Sequence, residues 1–160
     1  MDRADVAVEQ WARERPDLRT LPMTIFGRLS EAAERVMREH MNPLFAKAGL
    51  QAGEFDVLAT LRRSGAPYML SPTQLYETAM ISSGGMTDRL DRLERAGLVV
   101  RRPDPKDRRG KLIALTDAGR RSIDETIGRH VANEQRLLSS LTQAEQETLD
   151  ALLRKLVAGL

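Results

Sequence analysis

The chain of 160 residues contains no cysteine, which excludes disulfide bonds, thiolate metal sites and cysteine redox switches. Its two histidines, His40 and His130, are far apart in the sequence and form no metal-ligand motif. No apolar run approaches the ~20 residues that a membrane helix needs, and the N-terminus lacks the apolar core of a signal peptide. We therefore expect a cytoplasmic protein with no membrane partner, metal or cofactor.

Patterns of catalytic residues are also absent. The sequence has no paired-carboxylate signature and no Ser/His/Asp set, and Ser83-Gly84-Gly85 lacks the lysine and the spacing of a phosphate-binding loop. We predict that the protein is not an enzyme. Hydrophobic residues make up 41% of the chain and charged residues 30%, which is normal for a globular protein of one domain. The net charge is only +2, so the location of the charges is more informative than their sum.

The stretch from Ser71 to Thr116 has the pattern of two helices followed by a two-stranded ribbon. Ser71 is a good N-cap, Pro72 fits the first helical position, and Gln74 completes a capping box. These signals predict a first helix that runs from residue 71 to about residue 80.

A second helix follows after a short turn that Ser82 or Ser83 can cap. Gly97 fits a left-handed C-cap with Leu98 packed back on the helix, as in a Schellman motif. The buried side of this helix recurs at helical spacing in Met86, Leu90 and Leu93. In a helix-turn-helix the second helix enters the major groove with its N-terminal residues leading. The residues predicted nearest the bases are Ser82, Ser83, Gly84, Thr87 and Asp88.

Two short apolar runs, 98–100 and 112–115, predict the strands of a wing, and residues 68–70 a third strand at its edge. The segment between the two runs carries six basic residues and two acids, and the basic residues are Arg101, Arg102, Lys106, Arg108, Arg109 and Lys111. Such an excess suits phosphate contact and insertion into the minor groove. A basic loop alone would more often be a solvated hairpin, but the preceding helix pair favours binding to double-stranded DNA.

Helices are also predicted on both sides of this unit. Trp11, the only tryptophan, lies on a short N-terminal helix, and Pro43 is expected to kink or break the long helix that follows. Thr116 and the Thr142–Glu145 capping box mark two C-terminal helices. Their apolar stripes need a partner, which is either the rest of the chain or a second copy. We predict a single domain, 1–160, in which 1–48 and 117–160 form a homodimer interface and 51–116 form the DNA-binding lobe. Such a dimer would match a pseudo-palindromic operator with half-sites ~34 Å apart.

Asp107-Arg108-Arg109-Gly110, followed by Leu115-Thr116 and Gly119, resembles the wing signature of the MarR family of bacterial transcription regulators. The resemblance implies a mainly α fold with a small β-wing, that is, a winged helix-turn-helix with N- and C-terminal dimerisation helices. It also implies that Arg109 reaches into the minor groove while Asp107 orients the arginines of the wing tip. The complete set of predicted DNA contacts is Ser71, Thr73, Gln74, Ser82, Ser83, Gly84, Thr87, Asp88, Arg92, Arg102, Lys106, Asp107, Arg108 and Arg109.

Four segments, around Trp11, Asp56, Tyr68 and Arg89, are similar to the urate-responsive branch of the family (the PecS and HucR type). That similarity implies a ligand set of Trp11, Asp56 and Arg89, and a repressor that urate releases from DNA. An aromatic face and a guanidinium suit a flat anion. Three alternatives stay open: a phenolic acid such as salicylate as effector, ligand-independent DNA binding, and a purely structural Asp56–Arg89 salt bridge with Trp11 in the dimer core.

Overall fold

The computed structural model describes residues 1–80 and 85–160, apart from the side chains of Arg108 and Arg109. The N-terminal elements are α1 (Arg3–Glu14), α2 (Leu21–Arg35), a π-helical segment (Val36–Met41) and α3 (Asn42–Lys47). The middle of the chain holds α4 (Ala52–Arg63), β1 (Met69–Leu70), α5 (Pro72–Thr78), α6 (Met86–Arg95), β2 (Val99–Asp104) and β3 (Asp107–Leu115). The last helices are α7 (Asp117–Leu137) and α8 (Gln143–Val157), joined by a 3-10 turn at Leu138–Ser140. The predicted fold class, mainly α with a small β-wing, is confirmed.

The sheet is antiparallel with strand order β1-β3-β2. Met69 of the predicted edge strand pairs with Ala114, and Arg101 of β2 pairs with Ile113. β2 and β3 extend further into the basic segment than the apolar runs predicted, and the ladder ends where Asp104 faces Asp107. A two-stranded ribbon that projects from the core exposes its residues to solvent, so charged side chains are compatible with its strands as well as with its turn.

The core lies under the helix-turn-helix and is centred on α4. Eight of the twelve residues of α4 are buried, because this helix is covered from several sides. The largest fully buried side chains come from five elements, and they include Leu58, Leu61, Leu75, Leu93, Ile113 and Ile123. Phe45 stacks on Phe55 with 4.4 Å between ring centroids, and the ring of His130 lies 4.8 Å from Phe55. His130 is therefore part of an aromatic cluster beside the core.

The outer helices carry their apolar stripes on the surface. Neither α2 nor α8 contains a buried residue. On α2 the exposed fraction of both Ile25 and Phe26 is 50%, and on α8 that of Leu152 is 61%. A groove between the two helices is lined almost entirely by apolar side chains, among them Leu29, Ala32, Leu149 and Leu153. The predicted stripes therefore exist and stay largely uncovered within the single chain.

Pro43 acts differently from the predicted kink or break. Proline has no N–H, and its ring collides with the carbonyl group four residues earlier in an α-helix. The chain responds by widening into the π-helical segment, in which the N–H of Asn42 donates to the carbonyl oxygen of Met37. α2, the π-helical segment and α3 therefore form one continuous helical run.

Most predicted helix ends are confirmed. Side-chain caps occur at Ser71, Thr116 and Thr142, and Gly97 has a φ of 69°. Two bounds differ from the prediction. α5 ends at Thr78, and α6 begins at Met86 with the glycine Gly85 as its N-cap at a φ of 76°. The predicted serine caps of α6, Ser82 and Ser83, lie outside the described residues.

Candidate nucleic-acid interface and effector site

α6 has the amphipathic character of a recognition helix. Met86, Leu90 and Leu93 are buried, as predicted, whereas Thr87 and Asp88 in its first turn are exposed. An exposed polar first turn is what a helix presents to base edges in the major groove. The contacts predicted immediately before the helix, Ser82, Ser83 and Gly84, lie outside the part of the chain that the structure describes.

The end of α6 is fixed by a complete Schellman motif. The N–H of Leu98 donates to the carbonyl oxygen of Leu93 and the N–H of Gly97 to that of Glu94, both at 2.9 Å. β2 therefore begins immediately after the helix, so the wing is coupled to the recognition helix through a single tight turn.

Arg92 holds α6 against the start of α4. Its Nε donates to Glu54 Oε1 at 2.5 Å and its Nη2 to Gln51 Oε1 at 3.2 Å. Glu54 is 6% exposed, and a buried carboxylate needs such a partner. The structure thus gives Arg92 an internal role, and its predicted contact with DNA stays a prediction.

The start of α5 is a reciprocal capping box. Ser71 Oγ accepts the N–H of Gln74 at 3.1 Å, and Gln74 Oε1 accepts the N–H of Ser71 at 2.9 Å. Thr73 and Gln74 are exposed on this first turn. All three residues are therefore at the end of the helix that could reach a phosphate, as the sequence predicted.

The wing tip has a compact turn. Arg102, Lys106 and Asp107 are exposed. The backbone N–H of Lys106 donates to Asp104 Oδ1 at 2.8 Å. A Cβ at Gly110 would lie 3.0 Å from the carboxylate of Asp107, so the glycine allows this aspartate to fold against the strand. This contact explains the aspartate and the glycine of the wing signature, while the side chains of Arg108 and Arg109 lie outside the described set.

Arg101 belongs to the base of the wing and faces α6. Its guanidinium donates to Asp91 Oδ1 at 2.5 Å and to the carboxylate of Glu94. The bond to Asp91 is the main reason why the pKa of Arg101 is raised above its usual value. Of the six basic residues assigned to the hairpin, this one is therefore neutralised within the protein, which reduces the charge available to DNA.

The second half of the wing signature joins β3 to α7. Thr116 Oγ1 accepts the N–H of Gly119 at 2.9 Å and donates to the carbonyl oxygen of Gly97 at 2.7 Å. A Cβ at Gly119 would lie 1.9 Å from the carbonyl oxygen of Leu98, so only glycine fits there. The start of α7 is consequently packed directly against the turn that ends the recognition helix.

Two of the three predicted effector residues meet at α4. Asp56 is buried and accepts the backbone N–H of Met80 at 3.0 Å, just before the recognition-helix turn. The side chain of Arg89, on α6, lies against Gly53: a Cβ on this glycine would be 2.3 Å from Arg89 Nε. Gly53 and Asp56 are three residues apart and share a face of α4. Both predicted residues thus connect α4 to the helix-turn-helix.

Trp11 is placed elsewhere, on α1, and its side chain is 42% exposed. α1 packs against α2, where Arg28 donates to Asp2 at 2.7 Å and to Asp5 at 2.5 Å. The hydrogen bond from Arg28 is the main reason why the pKa of Asp2 is lowered to about 2. Asp2 also caps α1, so one carboxylate both starts this helix and docks it.

The described residues contain no group of three or more side chains suited to hold a metal ion. Within the same residues, no helix combines the length and apolar character that crossing a bilayer requires.

Sequence reasoning missed three residues with clear structural roles: Gly53, Glu54 and Arg101. Glu54 had a local signal, because it forms a capping box with Gln51 at the start of α4. Gly53 and Arg101 had none, since their partners lie on a different element.

Comparison with known proteins agrees with this architecture. A model of the MarR family matches residues 48–110. The transcriptional regulator PecS of Dickeya dadantii (strain 3937) is 46% identical over 146 residues, which cover 91% of this chain and 87% of PecS. The DNA complex of Sco3205, a MarR family regulator of Streptomyces coelicolor, is similar with a TM-score of 0.79 and 26% identity, over 89% of each chain. BpsR of Bordetella bronchiseptica, whose DNA binding is regulated by 6-hydroxynicotinic acid, is similar with a TM-score of 0.67 and 26% identity, over 80% of this chain and 91% of BpsR.

Proposed function

The chain belongs to the MarR family of DNA-binding transcription regulators, and from this premise we propose that it is a dimeric repressor that a small aromatic anion releases from its operator. The observation that carries the proposal is the coupling of Asp56 and Arg89 to the recognition helix, in a chain 46% identical to PecS. The same relationship shows that the chain is a regulator and not an enzyme. Because its partner would be chromosomal DNA, we place it in the cytoplasm.

Binding to the operator would use two parts of each chain. The exposed first turn of α6, with Thr87 and Asp88, would lie in the major groove. The wing would follow the backbone into the minor groove, with Arg102 and Lys106 as exposed basic residues and Arg109 at its tip. The DNA complex of Sco3205 supports this mode of binding for the fold.

A homodimer would cover the apolar groove between α2 and α8. Side chains such as Ile25, Phe26 and Leu152 are half exposed or more in the single chain, and such surfaces mark protein interfaces. A two-fold dimer is the commonest way to cover them. It would also set two copies of α6 one DNA turn, ~34 Å, apart, as a pseudo-palindromic operator requires.

The effector would act on the contact between α4 and α6. A flat anion such as urate would pair with the guanidinium of Arg89, be repelled by the carboxylate of Asp56, and stack on Trp11. Competition for Arg89 would shift α6, and loss of the Asp56 bond to Met80 would loosen the turn before it. Ligand and DNA would then oppose each other with a coupling free energy of ~1–3 kcal/mol.

The proposal is tested by fluorescence anisotropy of the protein on its own intergenic DNA, titrated with urate and with salicylate at fixed salt. We expect urate to release the wild-type protein and to leave the Arg89→Ala complex intact. Asp56→Asn should weaken DNA binding without ligand. If the Arg89→Ala complex still dissociates at the same urate concentration, the effector assignment is wrong.

A second candidate effector is an aromatic acid of the salicylate type. The similarity to BpsR, which responds to 6-hydroxynicotinic acid, favours this class as well. Release by salicylate at a lower concentration than urate would select it. Tight DNA binding that neither anion disturbs would leave Asp56 and Arg89 as a structural pair in a ligand-independent DNA-binding protein.

A further inference from the structure

A cavity of about 420 Å³ lies between the π-helical segment, α3 and α7, away from the proposed effector residues. Pro43 and Leu44 give it an apolar wall. Its polar lining includes His40, Lys47, Asn133 and Arg136. An apolar wall with a few convergent polar groups is the usual composition of a small-molecule site.

The widened helix builds the polar side of this cavity. The carbonyl oxygen of His40 accepts a hydrogen bond from Asn133 Nδ2 at 3.3 Å. Asn133 Oδ1 in turn accepts from Arg136 Nη2 at 2.7 Å, and the same Nη2 lies 3.5 Å from His40 Nδ1. The guanidinium of Arg136 is therefore held in place by a side chain that is itself anchored to the backbone.

The charge of the cavity is positive. Glu39, its acidic residue, is bound by Arg38 at 3.0 Å and by Arg35 at 3.6 Å, and its pKa is lowered mainly by the hydrogen bond from Arg38. In the described part of the chain, neither Arg136 nor Lys47 pairs with an acidic side chain. A held guanidinium without a carboxylate partner is the arrangement that recognises a carboxylate from outside.

From this geometry we propose that the cavity is a second anion site, which binds a small organic acid with a flat apolar body. The carboxylate pairs with Arg136 and Lys47, and the apolar body lies against Pro43 and Leu44. The site does not share a residue with the proposed set of Trp11, Asp56 and Arg89. It joins α3 to α7, and the other end of α7 is packed against the wing at Gly119.

Isothermal titration calorimetry of the full chain without DNA tests this proposal, with benzoate, acetate and inorganic phosphate as probes. We expect benzoate to bind more tightly than the two compact anions, because only benzoate uses the apolar wall. Acetate or phosphate binding as tightly as benzoate would overturn the proposal.

Three variants locate the site. Arg136→Gln should weaken benzoate binding about tenfold or more, since charge-assisted hydrogen bonds are lost. Arg154→Gln removes the same charge from an exposed i,i+4 pair with Asp150 and should leave benzoate binding unchanged. Benzoate binding should persist in Arg89→Ala. Equal affinity in Arg136→Gln, or loss of all binding in Arg89→Ala, would show that this cavity is not the site. Because no DNA is present, either result is independent of operator release.

Discussion

Substitution of Gly53 by alanine tests the contact between α4 and the recognition helix. The new Cβ would lie 2.3 Å from Nε and 2.8 Å from Cδ of Arg89, so one of the two groups must move. The overlap is with the far part of a flexible side chain, and the fold should therefore survive while Arg89 leaves its position. This single methyl group would displace the proposed ligand-binding guanidinium without changing its chemistry.

The expected free energies have opposite signs. Alanine in place of glycine stabilises a helix interior by ~0.8–1.0 kcal/mol, and we expect about half of this at the second residue of α4. Displacing Arg89 from its packed position should cost roughly as much, so Gly53→Ala should leave the free energy of unfolding nearly unchanged. In an Arg89→Ala background the obstacle is gone, and Gly53→Ala should then stabilise the protein. The expected coupling energy is about 0.5–1 kcal/mol.

The assay is a double-mutant cycle by urea unfolding, followed by urate titration of the DNA complexes. Gly53→Ala alone should respond to urate as Arg89→Ala does. A coupling energy below ~0.3 kcal/mol, the usual error of additivity, would refute the packing of Arg89 on Gly53. Coupling with an unchanged urate response would retain the contact and reject its role in ligand binding.

Three further outcomes are expected. Gly119→Ala should lower the free energy of unfolding by ~2–4 kcal/mol, because its Cβ would overlap a backbone carbonyl group, whereas Gly128→Ala, in an open position on the same helix, should raise it by up to ~1 kcal/mol in urea unfolding. Arg101→Ala should weaken operator binding about 2- to 5-fold in anisotropy titrations, since its half-exposed pairs with α6 are partly screened, and lysine should restore part of the loss. Asp2, whose folded pKa is about 2, should hold α1 in place above pH 4 and release it as the pH falls through 2, which the emission of Trp11 would report.

Each of these outcomes has a result that would contradict it. Equal unfolding free energies for the two α7 glycine variants would mean that Gly119 has room for a side chain. Unchanged operator affinity in Arg101→Ala would show that the wing does not need this contact. Asp2→Asn, which keeps the cap acceptor, should remove the acid transition near pH 2, and a transition unaltered by it would assign the change in Trp11 emission to another group.

The sequence by itself determined the local features of this protein. The capping boxes of Ser71 and Thr142 and the Schellman motif at Gly97 were predictable because their partners lie three to five residues away. The apolar stripes of the outer helices were predictable from helical periodicity alone. The wing signature located the ribbon, although only the structure shows that Gly119 is needed for packing against Leu98.

Contacts between elements were decided by the tertiary structure. Arg92 was predicted on the DNA-facing helix, but its guanidinium finds Glu54, 38 residues earlier in the chain. Arg101 was assigned to the basic hairpin, yet it faces α6 and is neutralised there. Pro43 widened its helix into a π-turn because α2 and α3 stay in one continuous run. A charged side chain takes whichever opposite charge the fold brings within ~4 Å, and spacing along the sequence does not contain that distance.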